Sequence, residues 1–437
     1  MAEPEKYCII GAGAAGITAA KNLLEHDIPF DVIEREDDVG GNWVFGKPNS
    51  GVYASTHLIS SSKLSGYVDY PMPDQPDYPR HNQVLAYLRG YARHFGVYEH
   101  IQFNTTVQHC ERDDDGLWRV TLDNGETRRY RGLLICNGHL SKPFTPDYPG
   151  SFDGEMIHSQ QYKTPEILRG KRVLVVGAGN SGCDLAVEAV HHAQTVFHST
   201  RRGYYYIPKY VFGVPSDQFD ALAQRIWSPR WLRRWVRTFI VKMVLGHPAD
   251  YGLPAPDHRL LETHPIVNSQ MLYHVGHGDI IAKPNIAELR GDRVAFDDGS
   301  EEAIDLIVYA TGYQIAFPFI DNAHLNWADG RPNLYMHFLH PAYDNLFVIG
   351  MIQPDSGVFW LMDLQAQVVA RYIQAQTQAH ELADQLRQIK AGPQPDIRGG
   401  VHHIDSTRHI LEIDHISYRK ALYNLLKYLS KERTFTS

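Results

Sequence analysis

The sequence predicts an α/β protein with two Rossmann-like dinucleotide-binding domains, the first interrupted by a smaller second one. Three observations carry this. The pattern Gly-x-Gly-x-x-Gly occurs twice, as Gly11-Ala12-Gly13-Ala14-Ala15-Gly16 and as Gly177-Ala178-Gly179-Asn180-Ser181-Gly182. Each copy follows a short apolar run, Tyr7-Cys8-Ile9-Ile10 or Val173-Leu174-Val175-Val176, and opens a helical stretch of small and aliphatic residues. Strand, glycine turn and helix form the context in which the pattern has physical meaning. The first glycine permits a tight turn, the second lets a pyrophosphate approach the backbone, and the third lets helix and strand pack closely.

The end of the next strand in each unit separates the two ligands. In the first unit that strand is Phe30-Asp31-Val32-Ile33-Glu34, and Glu34 stands 23 residues after Gly11, where a carboxylate accepts hydrogen bonds from a ribose diol. The same offset from Gly177 lands on Thr200, followed by Arg201 and Arg202. A carboxylate there would repel a 2'-phosphate, whereas a guanidinium grips one in a forked, charge-assisted contact. The first site therefore suits FAD and the second NADPH.

Between and around these units the remaining elements follow in order. A Pro-rich stretch runs from Tyr70 to Arg80, a helix is expected from about Gln83 to Phe95, and hairpin strands are expected around Trp118 and Arg129 with Asp123-Asn124-Gly125 as the turn. The first unit closes on Gly132-Leu133-Leu134-Ile135-Cys136, and the second ends on Leu306-Ile307-Val308-Tyr309-Ala310-Thr311-Gly312-Tyr313. The chain then returns to the first unit through Leu346-Phe347-Val348-Ile349-Gly350 and a helix from about Leu364 to Gln374. The expected division is an FAD-binding domain over residues 1–164, an NADPH-binding domain over 165–315, and a return to the FAD-binding domain over 316–437.

Composition fits a globular enzyme: 437 residues, 43% hydrophobic and 21% charged. A net charge of -8 argues against nucleic acid as a partner. No window approaches the roughly 18 unbroken apolar residues of a membrane span, and Met1-Ala2-Glu3-Pro4-Glu5-Lys6 leads directly into the first strand, so the expected location is the cytoplasm. Four cysteines, Cys8, Cys110, Cys136 and Cys183, contain no close pair of the kind that receives electrons in disulfide reductases. Electrons entering as hydride are therefore expected to leave to oxygen or a small acceptor. The pairs His191-His192, His402-His403 and His274/His277 lack the companions of a metal site, and no metal is expected.

Just ahead of the second fingerprint, Phe152, Gly154, His158 and Tyr162 fill the pattern FxGxxxHxxx(Y/F). On this pattern the chain resembles the flavin-containing monooxygenases. Glu34-Arg35 with Gly40-Gly41-Asn42-Trp43, the run Gly177 to Asp184, Ala310 to Tyr313, and Gln353-Pro354 with Leu364-Gln365-Ala366 are similar to the family in the same order. The Baeyer-Villiger relatives carry Trp where this chain has Tyr162.

The resemblance implies a two-stage reaction in which NADPH reduces FAD, the reduced flavin forms a C4a-hydroperoxide with dioxygen, and one oxygen atom passes to a soft nucleophile. The expected products are an N-oxide or a sulfoxide of a small molecule, with an indole-like substrate as a further case. It implies cofactor contacts from Gly11, Gly13, Ala14, Ala15, Gly16, Glu34, Arg35, Gly41, Asn42 and Trp43 on the FAD side. On the NADPH side it implies Gly177, Gly179, Asn180, Ser181, Gly182, Thr200, Arg201, Arg202 and Asn268, with Gln353 and Gln365 in the return segment. Ser60, Asn180 and Tyr313 are the expected catalytic residues. Alignment on Lys63 puts Ser60 where many family members have an Asn whose amide contacts the oxygen adduct; serine, with a shorter donor, departs from that pattern. Baeyer-Villiger oxygenation of ketones is the alternative, followed by an uncoupled NADPH oxidase or reductase. A homodimer is expected.

The segment Pro229 to Leu245 is a basic amphipathic helix by spacing, with Trp231, Trp235, Phe239 and Met243 along one stripe. It is expected to pack over the nicotinamide domain, with weak membrane-surface contact as the other use of such a face. Tyr418 to Leu429 is likewise amphipathic.

Overall fold

The computed structural model describes residues 5–219, 230–260, 262–264, 266–401, 404 and 409–430; Pro229 and His402-His403 lie outside them. Among these residues the first unit is built on a parallel sheet with the strand order Leu346–Val348, Gly132–Ile135, Tyr7–Ile10, Phe30–Ile33, Ile101–Gln102. Tyr7 to Ile10 run in register with Phe30 to Ile33 on one side and with Gly132 to Ile135 on the other. Because side chains alternate along a strand, each face of this sheet needs its own cover. Tyr7, Ile9, Phe30, Val32, Leu134 and Phe347 pack with the helices Ala14–Glu25, His81–His94, Phe359–Gln378 and His415–Leu429. Cys8, Ile10, Ile33, Leu133, Ile135, Leu346 and Val348 pack instead on Trp118, Val120, Leu122 and Tyr130 of an antiparallel three-stranded sheet. The expected hairpin is part of that sheet, Trp118–Leu122 against Thr127–Tyr130.

The second unit repeats this plan. Its parallel sheet has the order Glu155–His158, Leu306–Tyr309, Arg172–Val176, Thr195–Ser199, Ile280–Lys283. Val173, Val175, Val196 and Val308 meet the helices Asn180–Val190 and Gln270–His277. Leu174, Val176, Phe197, Ile307 and Tyr309 meet Ile286, Leu289, Val294 and Phe296 of a four-stranded sheet. Leu346–Val348 returns beside Gly132–Ile135, so the first sheet is completed only after the second unit has been threaded.

Two expectations need correction. Gly150–Phe152 and Glu155–His158 precede residue 165, yet they pair with Leu289 to Gly291 and with Leu306 to Tyr309 of the second unit. An apolar sheet edge at Leu306–Tyr309 has to be paired, and the nearest chain is the segment just before the second fingerprint. The helix Arg230–Leu245 does form and packs on the second unit, but through Val241 against Ile207 and Leu260 and not through the expected stripe: Trp235 is 62%, Phe239 53% and Met243 71% exposed. The helix His415–Leu429, by contrast, buries Tyr418, Leu422, Leu425, Leu426 and Leu429.

All four cysteines are buried and none forms a disulfide. Cys8 on the parallel sheet and Cys110 on the antiparallel sheet share one core, and burial pushes the Cys110 thiol up to about 12.

Candidate functional site

Both fingerprints adopt one geometry. Gly11 and Gly177 have φ of +100° and +113°, a region open to glycine, and each turns the chain from strand into helix. A Cβ on Gly16 would lie 1.8 Å from Gly11 O, and one on Gly182 would lie 1.9 Å from Gly177 O. The third glycine is thus the point where helix and strand end touch. Neither N-cap, Gly13 or Gly179, supplies a side-chain cap, and neither first turn carries an acidic residue. The N–H groups of Ala14 and Ala15, and of Asn180 and Ser181, therefore open a positive helix end to an anion. A dinucleotide pyrophosphate fits both cradles.

At the first cradle, Glu34 is buried, and its Oε2 accepts the Ala12 N–H at 2.5 Å while Oε1 accepts the Glu36 N–H at 2.9 Å. Both oxygens keep a lone pair for further donors, so the carboxylate is held in place and still able to receive a ribose diol. The Gly40 N–H donates to Ala12 O at 3.0 Å, and Gly41 passes so near the fingerprint that its Cβ would stand 3.0 Å from Gly13 Cα. Asn42 Oδ1 accepts the Gly51 N–H at 2.7 Å. Trp43 packs against the first core, and Arg35 is exposed, with Nε 3.8 Å from Glu36. Gly350 crosses the start of the first helix, where its Cβ would meet that of Ala15 at 3.0 Å.

At the second cradle the Nε2–H of His198 donates to Gly177 O at 3.1 Å. His198 is fully buried with no partner on Nδ1, and desolvation pushes its pKa down to about 4. The imidazole is therefore a neutral peg under the fingerprint turn. Thr200 is buried, and its hydroxyl donates to Arg202 O at 2.8 Å, closing the turn that presents the two arginines. Arg202 faces Asp257 at 3.7 Å. Arg201 is exposed and has no ion pair among the described residues.

The segment Phe152 to Tyr162 forms the seam between the units. Gly154 is required because the Phe152 ring lies over it: a Cβ there would be 2.6 Å from the ring and 2.7 Å from Asp305 O. His158 accepts the Gln160 N–H on Nδ1 at 3.1 Å and donates from Nε2 to Gly312 O at 3.0 Å, which fixes its tautomer. Burial lowers its pKa, and its ring meets Tyr313 edge-on at 5.2 Å. Burial pushes the Tyr313 phenol up to about 12, and a Cβ on Gly51 would lie 2.8 Å from its hydroxyl and 3.2 Å from Asn42 Oδ1. Tyr313 thus bridges from the nicotinamide-side strand to the loop beside Asn42. Tyr162 donates to Glu188 at 2.9 Å and meets Tyr53 edge-on, while Lys163 Nζ donates to Ser50 O at 2.7 Å.

Several expected contacts become supports. Gln365 is fully buried; its Oε1 accepts the Gly350 N–H and its Nε2 donates to Tyr418 Oη, so its amide holds Gly350 over the cradle. Asn268 spends its amide on Asp184 and the Met271 N–H, and Asn180 Oδ1 accepts the Val267 N–H at 2.8 Å. Ser181 is exposed at the helix start, and Gln353 lies half-buried where Gln353–Pro354 pairs with Glu412–Ile413. Ser60 is half-buried on the bend before the short helix Ser62–Ser65 and has no hydrogen-bond partner among the described residues.

Sequence reasoning missed a half-buried polar group between the units. Lys209 hydrogen-bonds His57 Nε2, and Asp184 holds Asn268 Nδ2 at 2.7 Å. Burial raises the Asp184 carboxyl above its ordinary value, with Lys209 and His57 acting against it. Asp184 lies one turn into the second-fingerprint helix, so its position was available from the motif. His57 and Lys209 lie 152 residues apart and carry no spacing signal.

Residues 4–430 match the flavin-binding monooxygenase-like family. The chain is 32% identical to flavin-containing monooxygenase 5 of Oryctolagus cuniculus over 451 residues, covering 97% of this chain and 83% of that one. It is 35% identical to flavin-containing monooxygenase 1 of Homo sapiens over 394 residues, covering 84% and 74%. Among solved structures, OTEMO in complex with FAD and NADP superposes with a TM-score of 0.70 over 98% of both chains at 21% identity.

His198 makes the second unit sensitive to acid. Its folded pKa of about 4 lies below the ordinary 6.5, so the unfolded chain takes up the proton first as pH falls. The stability it contributes is complete above pH 6.5, is lost between 6.5 and about 4, and is constant below that. Its share is on the order of 3 kcal/mol. His198→Gln keeps an N–H donor without a titrating group. Denaturant unfolding from pH 4 to 7 should show a slope shallower by about one proton in this variant.

Proposed function

The chain belongs to the flavin-binding monooxygenase-like family, and from that footing we propose that it oxygenates a soft nitrogen or sulfur centre of a small molecule, using FAD, NADPH and dioxygen. It is a flavin-dependent monooxygenase, an oxidoreductase. Bound FAD supplies the redox chemistry and the activation of dioxygen. The chain binds, orients and excludes water. The observation that carries the reading is the pair of matching anion cradles joined by one buried seam, with a held carboxylate at the first and an exposed arginine at the second. Glu34 would hold the FAD ribose, and Gly13 and Gly41 let the FAD phosphates approach the backbone. His158 stays neutral and donates its proton to Gly312 O, which keeps Tyr313 oriented. Tyr313 retains its phenol proton at neutral pH and remains a donor. The unpartnered Ser60 hydroxyl is proposed as the donor at the oxygen-transfer site.

The test is aerobic turnover of the FAD-loaded protein with NADPH and one of three acceptors: an aryl methyl thioether, a tertiary amine or a cyclic ketone. Sulfoxide or N-oxide should form in proportion to NADPH consumed. Lactone from the ketone in their place would establish the Baeyer-Villiger alternative, and hydrogen peroxide alone would overturn oxygenation.

Arg201 is proposed as the reader of the 2'-phosphate. A charge-assisted contact of about 1.5–3 kcal/mol corresponds to a roughly ten- to hundredfold rise in KM for NADPH in Arg201→Ala, with NADH nearly unaffected. Equal losses with both nucleotides would exclude that role.

No helix among the described residues is long and apolar enough to cross a membrane, and a cytoplasmic location is proposed. The exposed stripe of Trp235, Phe239 and Met243 supports a second, surface use of the helix Arg230–Leu245. A weak contact with an anionic bilayer and a homodimer contact are its two forms. Binding to anionic vesicles that is lost in Trp235→Ser would establish the first; a dimer in light scattering that the same variant dissociates would establish the second. A monomer that ignores vesicles would retire both.

A further inference from the structure

Ser60 is a short donor, and nothing on its own segment explains how it is aimed. The neighbouring peptide is gripped from the other unit. Asp217 Oδ2 accepts the Ser61 N–H at 2.6 Å across 156 residues of sequence, while its Oδ1 accepts the Gln218 N–H at 2.8 Å. We propose that Asp217 is a positioning residue for oxygen transfer, which sets the Ser60 hydroxyl by fixing the Ser60–Ser61 peptide from the nicotinamide-binding unit. This rests on the reading of Ser60 as the donor at the transfer site.

The loop that carries Asp217 is built to hold it there. Tyr210–Val211 pairs antiparallel with Val214–Pro215, and both turn residues, Phe212 at φ +51° and Gly213 at φ +80°, take the positive φ of a tight two-residue hairpin. The loop docks on the first unit through contacts that do not involve Asp217. Tyr78 Oη donates to Lys209 O at 2.5 Å, Tyr210 Oη donates to Asp77 at 3.1 Å, and the Tyr78 and Tyr210 rings meet edge-on at 5.5 Å. Lys209 adds its bond to His57. On the far side of Ser61, its carbonyl accepts the Leu64 N–H at 3.1 Å and the Ser65 hydroxyl at 2.8 Å. Ser61 is thus held at its carbonyl by its own short helix, while among the described residues the N–H of the Ser60–Ser61 peptide is held by Asp217. Burial raises the Asp217 carboxyl, and the bonds from Ser61 and Gln218 lower it again, consistent with a carboxylate committed to accepting N–H donors.

Because the hairpin has its own anchors, removing the carboxylate should release Ser61 without undocking the loop. Asp217→Asn keeps an acceptor oxygen for the Ser61 N–H; Asp217→Ala does not. In the full-length, FAD-loaded protein three quantities are compared. They are the fraction of NADPH electrons released as hydrogen peroxide, the anaerobic rate of flavin reduction by NADPH, and amide hydrogen exchange of the peptide containing Ser61 without turnover. D217A should raise the peroxide fraction about threefold or more and speed Ser61 exchange roughly ten- to hundredfold, as expected for a lost hydrogen bond to a charged group. The anaerobic rate should stay within about twofold, and D217N should stay near wild type on all three.

Wild-type leak and wild-type exchange in D217A would overturn the proposal, as would D217N behaving like D217A. If D217A is recovered unfolded, Ser61→Pro removes the same N–H at a residue whose φ of -66° suits proline, and should raise the leak equally; an unchanged leak there would overturn it too. A wild-type protein that makes only peroxide would overturn the functional reading and this role together. Failure of the Asp217 step alone is recognised by normal oxygenation in the wild type.

Discussion

Two contacts with no room for a Cβ govern this molecule. At Gly16 and at Gly182 the helix rests directly on the carbonyl of the preceding turn. Any side chain there would push the helix off the strand end and withdraw the N–H groups that face the ligand. The helix dipole, the open first turn and the carboxylate or guanidinium at the next strand are useful only because this approach fixes where the phosphates lie. Each unit covers its parallel sheet with helices on one face and a second, smaller sheet on the other, antiparallel in the first unit and mixed in the second, so the cradle is formed at the edge of a rigid three-layer body.

The second unit is set against the first by polar contacts and by Tyr53, which packs edge-on against Tyr162 within the second unit's apolar core. Lys163 reaches across to Ser50 O on one side of the seam, and Lys209, Tyr210 and Asp217 reach His57, Asp77 and the Ser61 N–H on another. Groups of this kind are costly to bury unless paired, and their pairing specifies one mutual orientation of the two cradles. Hydride transfer and oxygen transfer both need such an orientation, since reactive atoms must meet within contact distance.

The fingerprints, their strands and the carboxylate of Glu34 were legible in the sequence because they follow from local geometry: a turn that only glycine accepts, and a fixed offset to the next strand end. The interrupted layout was legible from the apolar return strand at Leu346. The start of the second unit was not, because Gly150–Phe152 and Glu155–His158 are short and pair with strands more than a hundred residues away. Gln365 and Asn268 read as ligand contacts from the sequence; that their amides also hold Gly350, Tyr418, Asp184 and Met271 depends on tertiary packing and carries no sequence signal. Asp217 and His57 gave no signal, since their partners are distant in sequence. The apolar stripe at Trp235 was visible by its periodicity, but periodicity does not tell a buried face from an exposed one.

The buried cysteines have a consequence for durability. Oxygen chemistry on a flavin sheds hydrogen peroxide whenever transfer fails, and peroxide attacks thiolates that it can reach. Cys8, Cys110, Cys136 and Cys183 are all enclosed, and burial holds Cys8, Cys110 and Cys136 in the thiol form. The same packing that closes the sheets removes the side chains most open to self-inflicted oxidative damage, so imperfect coupling need not shorten the working life of the catalyst.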